Sequence, residues 1–212
     1  MGKRLSAAGD PIVLPGRAVA TFAPMLKLKI ILASTRPGRK GSAVAQWIMD
    51  AAKAHGTFDV ELLDLAAIAL PLMDEPNHPR LRKYEHAHTK AWSATIDSAD
   101  AFIFVMPEYN FGYTAPLKNA LDFVFQEWAH KPLGLVSYGG VSGGLRATQV
   151  LKPTLAGLRL TIAGEVPIPF FAQFIGEDGI FRPNEVLVKG AKGMFDGIVR
   201  WAKVLGPMRA NS

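Results

Sequence analysis

The residues best suited to chemistry in this chain are Pro107, Glu108, Tyr109, Asn110 and Phe111, followed by Gly112, Tyr113 and Thr114. The run carries one carboxylate and no histidine, cysteine or serine, so it holds neither an activated nucleophile nor a metal set. It offers backbone N–H and C=O groups beside aromatic rings, which suits holding a flat ring and reading its edge. Before it lies an apolar stretch, 101–106, of the kind that a strand covered on both faces needs. After it, Leu117, Ala120, Leu121, Val124, Phe125 and Trp128 recur at helical spacing, with Pro116 where a helix begins. The run is therefore a loop at the carboxyl end of a strand, the edge at which open α/β sheets bind ligands.

Two further loops have ligand-binding composition. Ser34, Thr35, Arg36, Pro37, Gly38, Arg39, Lys40, Gly41 and Ser42 bring hydroxyls, glycines and cations to a helix N-terminus, which is a site for a phosphate. Neither well-known phosphate loop is present: Lys40 precedes Gly41 rather than a Ser or Thr, and no Gly-x-Gly-x-x-Gly follows the first strand. The second is Tyr138, Gly139, Gly140, Val141, Ser142, Gly143 and Gly144, whose glycines let backbone approach a planar ring. Its Gly-x-Ser-x-Gly spacing matches a hydrolase nucleophile elbow, a fold that needs its histidine downstream. His55, His78, His86, His88 and His130 all come earlier, so the hydrolase is set aside.

The elements that must position these loops alternate regularly. Strands are expected at 26–33, 58–64, 101–106, 132–138 and 158–166, and helices at 41–55, 81–98, 116–128, 143–156 and 185–204. That is an α/β chain with a doubly wound, five-stranded parallel sheet. Residues 25–212 are expected to form one domain. Residues 1–24, rich in Gly, Pro and Ala without a period, are read as a disordered extension, with Met25 a candidate start. A Pro-rich loop, 71–80, carries Asp74, Glu75 and His78 without metal-ligand spacing. His86 and His88, two apart on an expected helix, should point to different faces. Residues 165–171 form a turn-rich apolar segment to which no role is assigned.

Composition narrows the chemistry. With 212 residues, 49% of them hydrophobic, the chain can bury one full core. It has no cysteine, which excludes disulfides, thiolate nucleophiles and cysteine-ligated metals and suits a reducing cytoplasm. Redox chemistry would need a borrowed cofactor. The charge of +6 favours anionic ligands, but the cations are scattered and accompany no nucleic-acid signature, and no apolar run reaches a membrane span.

The Pro-Glu-Tyr-Asn loop and the Leu-Lys-Asn-Ala helix after it resemble the NAD(P)H-dependent FMN reductase family, which includes quinone and azo-dye reductases. The resemblance covers nearly all of residues 26–204. It implies a flavodoxin-like three-layer sandwich with strand order 2-1-3-4-5, FMN as cofactor and NADPH or NADH as cosubstrate. By resemblance Ser34, Arg36 and Ser42 hold the phosphate. Arg39, in an insertion, is expected to replace an asparagine that Val44 displaces. Pro107, Glu108, Tyr109, Asn110 and Phe111 meet the pyrimidine edge, and Tyr138, Gly139 and Gly140 lie against the ring. No side chain is assigned as catalytic, because the flavin carries hydride from nicotinamide to a quinone, azo compound, free flavin or metal oxyanion in ping-pong fashion. The resemblance further implies a homodimer or homotetramer without nucleic-acid or membrane partners. The alternative is a flavodoxin-like electron carrier or flavin-binding regulatory module.

Overall fold

The computed structural model describes residues 25–210; the expected extension at 1–24 lies outside them. Five strands, β1 (Leu26–Leu32), β2 (Phe58–Asp64), β3 (Ala101–Pro107), β4 (Pro132–Tyr138) and β5 (Thr161–Ile168), form one parallel sheet in the order β2-β1-β3-β4-β5. The strand order is the expected one. β3 and β4 are buried along their whole length, as their unbroken apolar runs require. β5 is the edge next to β4 and is only partly covered.

Helices lie on both faces. α1 (Gly41–His55) and α6 (Glu185–Ala210) cover one, packing Val44, Ile48, Met194 and Ile198 against Leu28, Ile30, Ile103 and Val105. Gly197 makes the contact of α6 with β5 possible, since a Cβ there would lie 2.4 Å from the Ala163 carbonyl oxygen. The other face takes α3 (Ala87–Asp97), α4 (Ala115–Asp122) and α5 (Leu145–Gly157). There Trp92, Ile96, Leu117, Leu121, Leu151 and Leu155 pack on Phe102, Phe104 and Leu135. Each fully buried Leu, Ile or Phe contributes roughly 1.5–3 kcal/mol relative to exposure.

The helical expectations at 81–98 and 116–128 were too long. A short helix, α2 (Leu65–Ile68), and a 3-10 turn at Pro79–Leu81 precede α3, which starts only at Ala87. His86 is therefore the residue before the helix rather than part of it. Its ring stacks on that of His88 at 5.2 Å, so the two share one face, contrary to the helical reading. Each is held by Asp74, through its carbonyl oxygen and its carboxylate respectively. α4 ends at Asp122, and a separate 3-10 turn, Gln126–Trp128, delivers Trp128 to the core.

Candidate flavin site

Three loops leave the carboxyl ends of β1, β3 and β4 and are laced together by hydrogen bonds. The Glu108 N–H donates to the Tyr138 carbonyl (3.1 Å), and the Thr114 hydroxyl donates to the Ala33 carbonyl (2.9 Å) while accepting from the Leu117 N–H at the start of α4. One threonine thus caps a helix and joins two loops.

The β3–α4 loop is a tight turn. Tyr109 and Gly112 exchange N–H···O bonds of 2.9 Å, with Asn110 (φ 48°) and Phe111 (φ 68°) left-handed between them. Asparagine tolerates that conformation, whereas a phenylalanine held there carries strain. Phe111 is exposed and lies under the Arg146 guanidinium at 4.4 Å. Glu108 turns toward the glycine loop, accepting from the Ser142 hydroxyl (2.8 Å), the Arg146 N–H (3.2 Å) and the Arg146 side chain (3.1 Å). Burial opposes its charge, but these hydrogen bonds outweigh burial and hold the carboxyl below its ordinary range. Glu108 is a clamp between loops.

The glycine loop is shaped by its left-handed residues. At Gly144 (φ 84°) a Cβ would sit 2.6 Å from the Ser137 Cβ and 2.8 Å from the Tyr138 nitrogen, so only glycine fits. The Gly139 N–H is donated to the Ile168 carbonyl (3.3 Å), while the Phe170 and Phe171 N–H groups return bonds to the carbonyls of Gly140 and Gly139. The segment after β5 is therefore stitched to the glycine loop. The Phe171 ring lies 4.8 Å from that of Tyr138. Burial, and then the nearby Tyr109, push the Tyr138 phenol well above its ordinary value, so it stays protonated.

In the β1–α1 loop, Ser34 is buried and its hydroxyl is bonded to that of Tyr109 at 3.1 Å. Arg39 donates to the Ser34 carbonyl (2.9 Å) and pairs with Asp64, which fastens the loop to β2. Two of its five N–H donors are thus taken by protein groups, while the residue also lines the cavity that the loops enclose. Arg36 and Lys40, both exposed, make no side-chain hydrogen bond or ion pair among the described residues. α1 begins without a side-chain cap and without an acid in its first turn. Gly41 is enforced by Tyr138, whose hydroxyl would lie 2.1 Å from an added Cβ.

These pieces enclose a cavity of about 580 Å³, a size usual for small-molecule sites. Of the residues expected from sequence, Ser34, Arg36, Arg39, Pro107, Glu108, Tyr109, Tyr138, Gly139 and Gly140 line it; Ser42, Asn110 and Phe111 do not. Ser42 is exposed on the first turn of α1, and the turn tip carries Asn110 and Phe111 outward into solvent. Missing from the expectation were Lys40 and the wall formed by Phe170, Phe171, Ala172 and Gln173. The turn-rich apolar run after β5 was the available signal, but nothing in it tells on which side of the sheet edge the chain will fold.

Residues 26–173 match the family model described as NADPH-dependent FMN reductase. The chain belongs to that family. An NAD(P)H-dependent FMN reductase of Schizosaccharomyces pombe is 37% identical over 185 residues, covering 86% of this chain and 85% of that one. An NAD(P)H:quinone oxidoreductase of Solanum tuberosum is 31% identical over 136 residues, 61% of this chain and 66% of its own. Among solved structures, the flavoenzyme NAD(P)H:(acceptor) oxidoreductase FerB of Paracoccus denitrificans superposes with a TM-score of 0.68 at 22% identity, covering 84% and 98% of the two chains. The last likeness is one of fold.

Membership makes the protein an oxidoreductase with FMN as cofactor and NAD(P)H as electron donor, and it decides against the carrier alternative. The residues present fit that cofactor. An uncapped helix N-terminus beside two uncommitted cations suits a phosphate, and the space above Gly140, where a Cβ would meet nothing within 4 Å, suits a ring lying on backbone. No described helix is long and apolar enough to cross a membrane.

Proposed function

We propose that the protein passes hydride from NAD(P)H through bound FMN to a small planar acceptor, a quinone first among the candidates and an azo compound next, in ping-pong order. One observation carries the reading: a single cavity contains the uncapped α1 N-terminus with Arg36 and Lys40, and also Tyr109, Tyr138 and the glycine loop. The potato relative, a quinone oxidoreductase, supports the acceptor class.

In this reading Arg36, Lys40 and the first N–H groups of α1 hold the phosphate by charge-assisted hydrogen bonds. Ser34 and Arg39 shape the loop that presents them. Pro107, Glu108 and Tyr109 set the ring's edge, with the Gly140 N–H as a donor still available to it; Gly139 has already given its own to Ile168. Tyr138, protonated, offers an O–H at the base of the site. Such donors, fixed before the reaction, stabilise negative charge that develops beside them. FMN held there would supply the redox chemistry, hydride transfer from NAD(P)H and electron delivery to the acceptor.

The reading treats residues 25–212 as one reductase domain, acting in the cytoplasm as a homodimer or homotetramer. The test is the visible spectrum of FMN-supplemented, desalted protein, followed by anaerobic NADPH and NADH. Retained flavin that bleaches, and recolours when a quinone is added, is the expected result. Retained flavin that stays oxidised with both nucleotides overturns the proposal.

A further inference from the structure

A second cavity, of about 620 Å³, opens at the opposite edge of the sheet, where the chain enters the strands. Its walls come from the 3-10 turn Pro79–Leu81, the end of α3, the turn before β4, the α5–β5 connection and the last turn of α6. Strands of seven residues put the two edges roughly 20 Å apart. Nothing in the flavin reading uses this cavity.

Five cations line it, namely Arg80, Arg82, Lys131, Arg159 and Arg209, against the acids Asp97 and Glu127. Two of the five are already answered. Arg209 pairs with Asp100 at 2.9 Å, and Arg82 lies between Glu127 (3.3 Å) and Asp97 (3.5 Å). Glu127, fully buried, is further engaged by the Tyr84 hydroxyl (3.0 Å), the Ser93 hydroxyl (2.6 Å) and the Phe125 N–H (3.2 Å).

The other three cations have no carboxylate within ion-pair distance among the described residues. Arg80 and Arg159 both lie on the Phe125 ring, at 4.5 and 5.7 Å from its centroid, and Arg159 also donates to the Gln126 side chain at 2.5 Å. Two guanidiniums that meet the same ring and line the same cavity, neither with a carboxylate partner, are stabilised by an anion placed near both. Lys131 is 3% exposed, and its ammonium donates to the carbonyls of Ile96 (2.7 Å) and Asp97 (2.8 Å). An ammonium has three hydrogens, so one is left without an oxygen acceptor, on the side of the group that faces the Phe102 ring at 5.7 Å or the cavity. Burial has pushed this lysine down to about 8, against the pull of the carboxylates of Asp97, Asp100 and Glu127, none of which comes within ion-pair distance of the ammonium.

We infer that this cavity is a second ligand site, one that takes a small phosphate-bearing anion between Arg80, Arg159 and Lys131. Paired guanidiniums match phosphate oxygens in bidentate fashion, and the buried ammonium adds a fixed point charge beneath them. The size of the cavity admits more than one phosphate group.

The experiment is calorimetric titration of the FMN-loaded protein with pyrophosphate and, in parallel, inorganic phosphate, against sodium chloride at matched ionic strength. Loading with FMN keeps the probe out of the flavin phosphate site. The expected result is saturable binding of at least one probe, weakened tenfold or more in the Arg80→Gln, Arg159→Gln double variant and weakened less in the Arg80→Lys, Arg159→Lys variant, which keeps the charge but not the fork. Tighter pyrophosphate binding would mark a diphosphate-bearing ligand, and equal binding a single phosphate group. Both arginines are exposed, so the fold and the flavin spectrum should be unchanged in either variant. No saturable heat from either probe, or binding unaltered in the Gln double variant, overturns the inference.

Discussion

Replacing Glu108 with glutamine tests whether the two ring-side loops are held together by one carboxylate. Glutamine keeps the shape but has a single acceptor oxygen. If that oxygen keeps the Ser142 hydroxyl and the Arg146 N–H, the new amide NH2 must face the Arg146 guanidinium, donor against donor. Hydrogen bonds to a charged group are worth about 1.5–3 kcal/mol against about 1 for neutral ones, so the two retained bonds together lose on the order of 1–2 kcal/mol. The half-exposed Arg146 pair adds at most about 1 kcal/mol after screening. The clamp should weaken by about 2 kcal/mol. FMN must then close loops that the free variant leaves open, so its dissociation constant should rise by up to roughly thirtyfold. Quenching of FMN fluorescence measures that constant, and a cycle with Ser142→Ala measures the coupling. In the parent protein the carboxyl lies below its ordinary range. Its contribution is therefore present above pH 4.5 and is lost only as pH falls through the lowered value. Unchanged FMN affinity in Glu108→Gln, or strictly additive effects in the cycle, would refute the clamp.

Further expectations follow from single positions. Arg36→Ala removes an uncommitted cation from the flavin cavity and should weaken FMN binding by about tenfold or more with little change in unfolding midpoint; equal affinity counts against its role. Gly41→Ala drives a methyl against the buried Tyr138 hydroxyl and should cost about 1–3 kcal/mol in urea unfolding, with loss of flavin, whereas an unchanged midpoint would contradict the close approach. Phe111→Gly should stabilise the fold by up to about 1 kcal/mol, because φ at 68° suits glycine; a destabilised variant would show that the left-handed turn carries no strain. Lys131 titrates near 8 when folded and near 10.5 when unfolded. Between those values the unfolded chain binds more protons, so stability relative to a Lys131→Met variant should rise with pH, by about 3 kcal/mol in all. Urea unfolding across pH 7.5–10.5 gives the trend, and a flat difference would mean that the ammonium is not buried as a charge.

The sheet was legible in the sequence because its signals are local. Apolar runs such as 101–106 and 132–138 have no other stable use than a strand covered on both faces, and the glycines of 139–144 mark a backbone that must take left-handed or closely packed paths. What failed to show was where one helix stops and another begins. Phe125 and Trp128 continue the spacing of α4, yet the chain breaks after Asp122 and Trp128 reaches the core from its own turn. His86 and His88 were misjudged for the same reason, since the start of α3 decides which face each ring shares. Arg39 lines the cavity as expected, but its pairing with Asp64 was not legible, since that partner is distant in sequence. Asn110 and Phe111 belong to the right loop, but a left-handed turn that aims a residue outward is invisible without its dihedral angles. The Phe170–Gln173 wall depends on hydrogen bonds to Gly139 and Gly140, which no periodicity encodes.

That wall differs from its neighbours in how it is supported. The β1–α1, β3–α4 and β4–α5 loops spring from interior strands, so altering their path disturbs strand pairing on both sides. Residues 170–173 hang from β5, paired on one side only and tied to the site by backbone bonds to the glycine loop and by the Phe171 ring against Tyr138. The cavity is accordingly three fixed sides and one exchangeable panel. Changes at Ala172 and Gln173, beyond the bonds that Phe170 and Phe171 make to the glycine loop, alter this wall without breaking those ties. Such a wall is the side of the cavity whose shape can vary with the least disturbance to the sheet beneath it.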